Sequence, residues 1–169
     1  MFRQMRRGRQ QLSAGEAEEL LRHGSSGVLA VHGDGGYPYA VPLSYVYTGG
    51  KIYFHCAKEG HKLDALQRDP KVSFAFIGED TIVSEKYTSY FRSVIVFGRA
   101  RVVEGESERL TALRALAEKY SPDRPQEERE REVSSCAQAL IVGIEIEHMT
   151  GKQAKEYVGR ARTGEEAGQ

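Results

Sequence analysis

Cysteine is scarce: Cys56 and Cys136 are the only two in 169 residues. They form no C-x-x-C pair, so neither a disulfide framework nor a structural zinc site is supported. The expectation is a reduced, cytoplasmic protein without a metal centre. An excess of one charge is also lacking, since Lys plus Arg and Asp plus Glu stand at 24 each. No overall field draws the chain to nucleic acid or to an anionic membrane, and a charged ligand has to be held locally. No apolar run approaches the roughly 18 residues of a transmembrane helix, and the basic start MFRQMRRGRQ has no apolar stretch behind it, which argues against secretion. Residues 1–11 read as a flexible basic N-terminus with solvated arginines, the alternative being that those arginines touch phosphate or RNA. Neither a G-x-S-x-G elbow nor a G-x-x-x-x-G-K-[ST] loop occurs, so hydrolase and nucleoside-triphosphatase chemistry lose support.

What is present is a succession of short β-type segments. LSAGEAEELLRHG opens with Ser13 and Glu16 at capping-box spacing and ends at Gly24, a short helix. GVLAVHG and YPYAVPLSYVY are β-branched and aromatic, and GDGG between them tolerates the positive φ of a tight turn. TGG at 48–50 leads into KIYFHCA, giving three successive antiparallel strands. A helix over 61–68 follows, then strands KVSFAFIG and SVIVFGRARVVEG, separated by the polar EDTIVSEKYTS. SERLTALRALAEKY sets Leu110, Leu113, Leu116, Ala117 and Tyr120 on one helical stripe. SPDRPQEERERE reads as a solvated loop or exposed helix start, and ALIVGIEIEHMTGK supplies a last strand. Six strands, mostly in hairpin succession with few peripheral helices, predict a mainly β fold, an antiparallel β-barrel. One domain is expected over residues 12–156, with residues 157–169 a flexible C-terminal tail.

YFHCAKEGHKLDAL carries the chemistry. Alternation places Ile52, Phe54 and Cys56 on the core face and Tyr53, His55 and Ala57 on the other, so Cys56 is a core residue rather than a nucleophile. Gly60 lets the main chain approach a ligand before a helix starts at His61 and Lys62. Cations are unfavourable at a helix N-terminus unless an anion compensates. Either a phosphate is bound there or both side chains extend into water. A metal site from His55, His61 and Cys56 lacks the usual ligand spacing. Pro38 and Pro42 cannot donate to a ladder, so YPYAVPLSYVY is either an ordinary irregular edge strand or a surface for a planar heteroaromatic ligand against main-chain groups of Val41 to Ser44.

Together GYPYAVPLSYVYTGGKIYFHCAKEGHKLDAL, PKVSF and YFRSVIVFGRARVV resemble the pyridoxamine 5'-phosphate oxidase-like, FMN-binding split-barrel superfamily, and within it the 5-nitroimidazole antibiotic resistance (nitroimidazole reductase) family. The resemblance implies a six-stranded split barrel that forms a homodimer with FMN at the subunit interface. It implies main-chain contacts to the flavin at Val41, Pro42, Leu43 and Ser44, with Tyr39 beside them. The turn of Lys58, Glu59, Gly60, His61 and Lys62 would hold the phosphate, with His-Lys in place of the oxidases' Arg-Lys. Arg92 and Ser93 of RSV would reach the flavin of the second subunit, and Lys152 of TGK would lie near the cofactor. His55 matches the family's strand histidine and is the expected active-site residue. The implied function is that of an FMN-dependent oxidoreductase acting on a small planar acceptor such as a nitroaromatic. A non-catalytic flavin or haem binding protein, or a B6-vitamer oxidase, are the alternatives.

Overall fold

The structure, a computed structural model, describes residues 1–136 and 139–159. Seven strands form one antiparallel sheet: β1 (Ser26–His32), β2 (Pro38–Ser44), β3 (Val46–Thr48), β4 (Lys51–Cys56), β5 (Lys71–Val83), β6 (Thr88–Val102) and β7 (Leu140–Gln153). Four helices accompany them: α1 (Ala14–His23), α2 (His61–Arg68), α3 (Glu106–Tyr120) and α4 (Gln126–Ser135). The spatial order is β2-β1-β5-β6-β7-β4-β3. The mainly β, antiparallel split-barrel architecture with peripheral helices is therefore as the sequence predicts, and the strand count is seven rather than six.

The extra strand arises at Tyr45. YPYAVPLSYVY is not one strand; it breaks into β2, paired with β1, and β3, paired with β4. The two edges of the sheet are thus neighbours in sequence with one residue between them, which rolls the sheet without closing it by hydrogen bonds. Tyr45 leaves the ladder because side chains take its main-chain groups. Its N–H donates to the Tyr120 hydroxyl at 2.9 Å, and Lys119 Nζ donates to its carbonyl oxygen at 2.8 Å. The Tyr45 ring is fully buried against Phe74, and its hydroxyl donates to the Leu21 carbonyl at 2.8 Å. That carbonyl lies in the last turn of α1, where helix carbonyls lack intrahelical donors.

A second difference concerns EDTIVSEKYTS, which is not a loop. β5 and β6 continue through it in register to Val83↔Thr88, and the reversal takes only Ser84–Tyr87. Thr81, Ile82 and Val83 are β-branched, and both faces of this ribbon are largely solvated, so its polar composition does not disfavour a strand. SPDRPQEERERE resolves into α4 after a short turn. Residues 160–169 of the expected tail lie outside the described residues.

Two apolar clusters follow from strand alternation. The larger fills the concave side with Leu29, Ile52, Phe54, Phe74, Val94 and Val142, and Ala17 and Leu21 of α1 plug one end. The smaller lies on the other face, where Tyr53, Val46 and Ile141 meet Ala112, Leu113 and Leu116 of α3 and Val133 of α4. The Ser13–Glu16 capping box forms as the spacing predicts. Among the described residues no helix is long and apolar enough to cross a membrane.

Removing the Tyr45 hydroxyl strands a buried carbonyl, so Tyr45→Phe should lower stability by about 1–3 kcal/mol in urea denaturation. Desolvation holds the Lys119 ammonium down to about 8 from 10.5. The folded chain sheds this proton before the unfolded chain does, so the unfolded state binds more protons between those values and this group's contribution to stability rises with pH there. Lys119→Met should abolish that rise, measured as the wild-type minus variant difference in unfolding midpoint from pH 8 to 10.

Candidate functional site

The strand-to-helix turn after β4 has the backbone its sequence allows. Gly60, at φ 125° and ψ 162°, occupies a region open essentially to glycine alone, and its carbonyl accepts from the N–H groups of Leu63 and Asp64. Leu63, Ala65 and Leu66 are buried and fasten α2 to the core. No side chain caps the N-terminus of α2. α3 and α4 also lack side-chain caps but carry glutamates in their first turns, Glu106 and Glu108 in one and Glu127 and Glu128 in the other. α2 begins instead with His61 and Lys62, and its first-turn carboxylate, Asp64, comes only at the fourth position.

Both side chains fold back on the barrel. The His61 ring stacks on Tyr39 of β2, with centroids 4.2 Å apart and planes 25° from parallel. Its Nε2 is 3.5 Å from Asp34 Oδ2, and Arg68 of the same helix pairs with Asp34 Oδ1 at 2.7 Å. Lys62 Nζ sits 5.2 Å from the Phe54 ring centroid. Burial pushes the Cys56 thiol up, and the charge of Lys62 offsets part of that rise. Cys56 lies in the larger core cluster, consistent with a packing role. Asp34, the carboxylate beside His61, carries no signal in the sequence beyond the turn that GDGG marks.

β2 forms the wall beside this turn. Tyr39, Val41 and Leu43 alternate inward against the core cluster, while Ala40, Pro42 and Ser44 are exposed. Among the described residues β2 pairs only with β1, so its far side is a free strand edge. The start of α2, with the exposed Lys58 and Glu59 just before it, and the β2 edge therefore come together through the Tyr39–His61 stack.

The other expected residues lie elsewhere in the chain. Ser93 is in register with Lys152, and Arg92 with Gln153, on β6 and β7, with β1 and β5 between them and β2. Arg92 Nη1 pairs with Glu79 Oε2 at 3.2 Å, its guanidinium carbon lies 4.2 Å from the Tyr157 ring centroid, and Tyr157 also bonds Glu79. Lys152 Nζ is 5.4 Å from the Phe91 ring centroid. His55 is exposed on β4 opposite Ile141, on the face shared with Tyr53 and away from Phe54. That face is held by Tyr53, whose hydroxyl donates to Glu108 at 2.8 Å. Burial pushes the Tyr53 phenol up to about 12, and bonds from Arg101 and Tyr53 hold Glu108 down at about 2. Adding a Cβ at Gly60 would strain the turn, so Gly60→Ala should cost about 1–3 kcal/mol in chemical denaturation.

Comparison with solved structures finds the same fold in several proteins. A proposed 5-nitroimidazole antibiotic resistance protein from Bacteroides thetaiotaomicron superposes with a TM-score of 0.69 at 22% identity, over 85% of this chain and 86% of that one. A conserved hypothetical protein from Mycobacterium tuberculosis gives 0.77 at 21% identity, over 98% and 100%. An FAD-binding protein from Mesorhizobium loti gives 0.58 at 25% identity, over 85% and 96%. No curated protein matches the sequence. A family model described as pyridoxamine 5'-phosphate oxidase matches residues 13–153, which take in the β2 edge, the Gly60 turn and the β6–β7 pair. The chain belongs to the pyridoxamine 5'-phosphate oxidase family.

Proposed function

We propose that this protein is an FMN-dependent oxidoreductase that reduces a small planar acceptor, a nitroaromatic for example. The observation that carries this is the uncapped, cation-bearing start of α2 behind a glycine-only turn, adjoining a free strand edge. An anion satisfies the helix N–H groups and the charges together. The fit to FMN is chemical: a phosphate for His61, Lys62 and the turn of Lys58, Glu59 and Gly60, and a planar ring system for the main chain of Val41, Pro42, Leu43 and Ser44 beside Tyr39. The family match and the FAD-binding relative support a flavin, and the relative described as a nitroimidazole resistance protein supports the acceptor class.

The flavin supplies the electron transfer that no side chain provides. The chain's own residues anchor and protonate. Lys62 and His61 neutralise the phosphate, and Gly60 lets the main chain approach it. His55, exposed on β4, donates a proton to the acceptor as negative charge builds on it. Arg92, Ser93 and Lys152 complete the site from a second copy of the chain. Support for that homodimer is the separation of these residues from β2 within one protomer and the exposed apolar side chains Ile77, Ile95 and Phe97 on β5 and β6. Large exposed apolar groups on one face mark association surfaces.

The absorption spectrum of the purified protein, with mass identification of any released chromophore, should give FMN near one per subunit. A colourless protein that also fails to take up added FMN would overturn the flavin assignment, and an intense Soret band would replace it with haem. Lys62→Gln should weaken FMN binding about tenfold or more through loss of one charge-assisted bond. His55→Ala should retain FMN and lose about 10²–10⁴ in turnover with a nitroaromatic acceptor; loss of the flavin as well would show that His55 is an anchor rather than a proton donor.

A further inference from the structure

The chain is neutral overall, yet its first twelve residues contain Arg3, Arg6, Arg7 and Arg9 and no carboxylate side chain. This segment lies against the body of the protein. The Phe2 ring stacks on His148 at 4.7 Å and on Phe97 at 5.6 Å, Gln11 bridges to Lys152, and the Leu12 N–H donates to the Gly151 carbonyl at 3.0 Å. Between these anchors a turn at Gly8–Gln10 borders an open groove of about 410 Å³, lined by Arg6, Arg7, Gly8, Arg9, Gln10 and Lys155.

Two independent observations point to a ligand in this groove. The first is uncompensated charge. Among the described residues none of Arg3, Arg6, Arg7 and Arg9 pairs with a carboxylate, whereas Arg68, Arg92, Arg101 and Arg114 each do. The one carboxylate at ion-pair distance from a groove cation is Glu156, at 3.9 Å from Lys155 Nζ. The second is Gln10, only 7% exposed, whose side-chain Oε1 is buried without a hydrogen-bond partner. A buried amide oxygen left unpaired is costly, and an amide turned about its last bond exchanges that oxygen for two N–H donors.

We propose that the groove formed by Arg6, Arg7, Arg9, Gln10 and Lys155 binds a phosphate-bearing small molecule. Guanidinium groups present paired donors that match phosphate oxygens, and Gln10 lies in the groove wall with its amide oxygen buried beneath it. A small molecule is favoured over nucleic acid because the chain has no net charge to spread a field along a polymer. Within one chain the groove shares no lining residue with the α2 turn, although Gln11 beside it bridges Lys152, which the proposed function assigns to the flavin site of a second copy.

The test is calorimetric titration of the full chain with inorganic pyrophosphate at low salt. Saturable binding is expected, weakened about tenfold or more in the double variant Arg6→Gln/Arg7→Gln. Both side chains are exposed, so its unfolding midpoint should be unchanged. Lys62→Gln should leave this binding in place. The proposal is overturned if the wild-type chain shows no saturable binding, or if Lys62→Gln abolishes it while the double variant does not. Titration with NADPH then identifies the source: binding through the same arginines assigns a dinucleotide, and pyrophosphate binding without it assigns a smaller phosphate compound. A short DNA oligonucleotide that binds more tightly than pyrophosphate through Arg6 and Arg7 would overturn the small-molecule assignment.

Discussion

The fold depends on the capture of the Tyr45 main chain by side chains of α3. An extended run such as residues 37–47 would ordinarily keep one pair of neighbours along its length. With its N–H given to Tyr120 and its carbonyl held by Lys119, Tyr45 instead releases the chain from β1 and redirects it to β4. One segment then serves as both edges of a single sheet, and the sheet has to roll. The same side chain reaches α1 through the Leu21 carbonyl and the core through Phe74. Lys119 is partly desolvated where it holds Tyr45, and its ammonium, 4.2 Å from the Tyr45 ring centroid, recovers some of that cost through the ring face.

This arrangement positions the candidate functional surface. Because β2 ends before Tyr45, its outer side meets no further strand among the described residues, and the α2 turn lies against it through Tyr39 and His61. A chain with balanced charge has thereby gathered cations at two separated places. At α2 they are partly compensated by Asp34, which engages His61 and Arg68. At the N-terminal groove the arginines meet almost no carboxylate. Local concentration of charge, not net charge, distinguishes these places from the rest of the surface, where Arg101, Glu108, Glu145 and Lys51 neutralise one another.

Features set by near neighbours in sequence were legible in it. The Ser13–Glu16 cap forms because both partners lie within one helical turn. The Gly60–His61–Lys62 turn was legible because its backbone requirement and its charges are consecutive. The break at Tyr45 was not, since its partners stand about 75 residues away. Nor was Asp34, which the β1–β2 turn carries to a helix start 27 positions later. The strand character of EDTIVSEKYTS is not legible either, because a two-stranded ribbon with both faces in water needs no apolar alternation.

The sequence by itself determined the mainly antiparallel architecture, the core face of β4, the first helix and the residues gathered at the α2 turn. These rest on periodicity, turn chemistry and spacing, all local properties of the chain. Only the tertiary structure decided that the sheet has seven strands with both edges drawn from one segment. It alone decided that His61 stacks on Tyr39 above Asp34, that Arg92 and Lys152 stand apart from β2, and that the N-terminal arginines border a groove. Each of these depends on which distant residues meet, and that is fixed by burial and hydrogen bonding across the fold rather than by any local pattern.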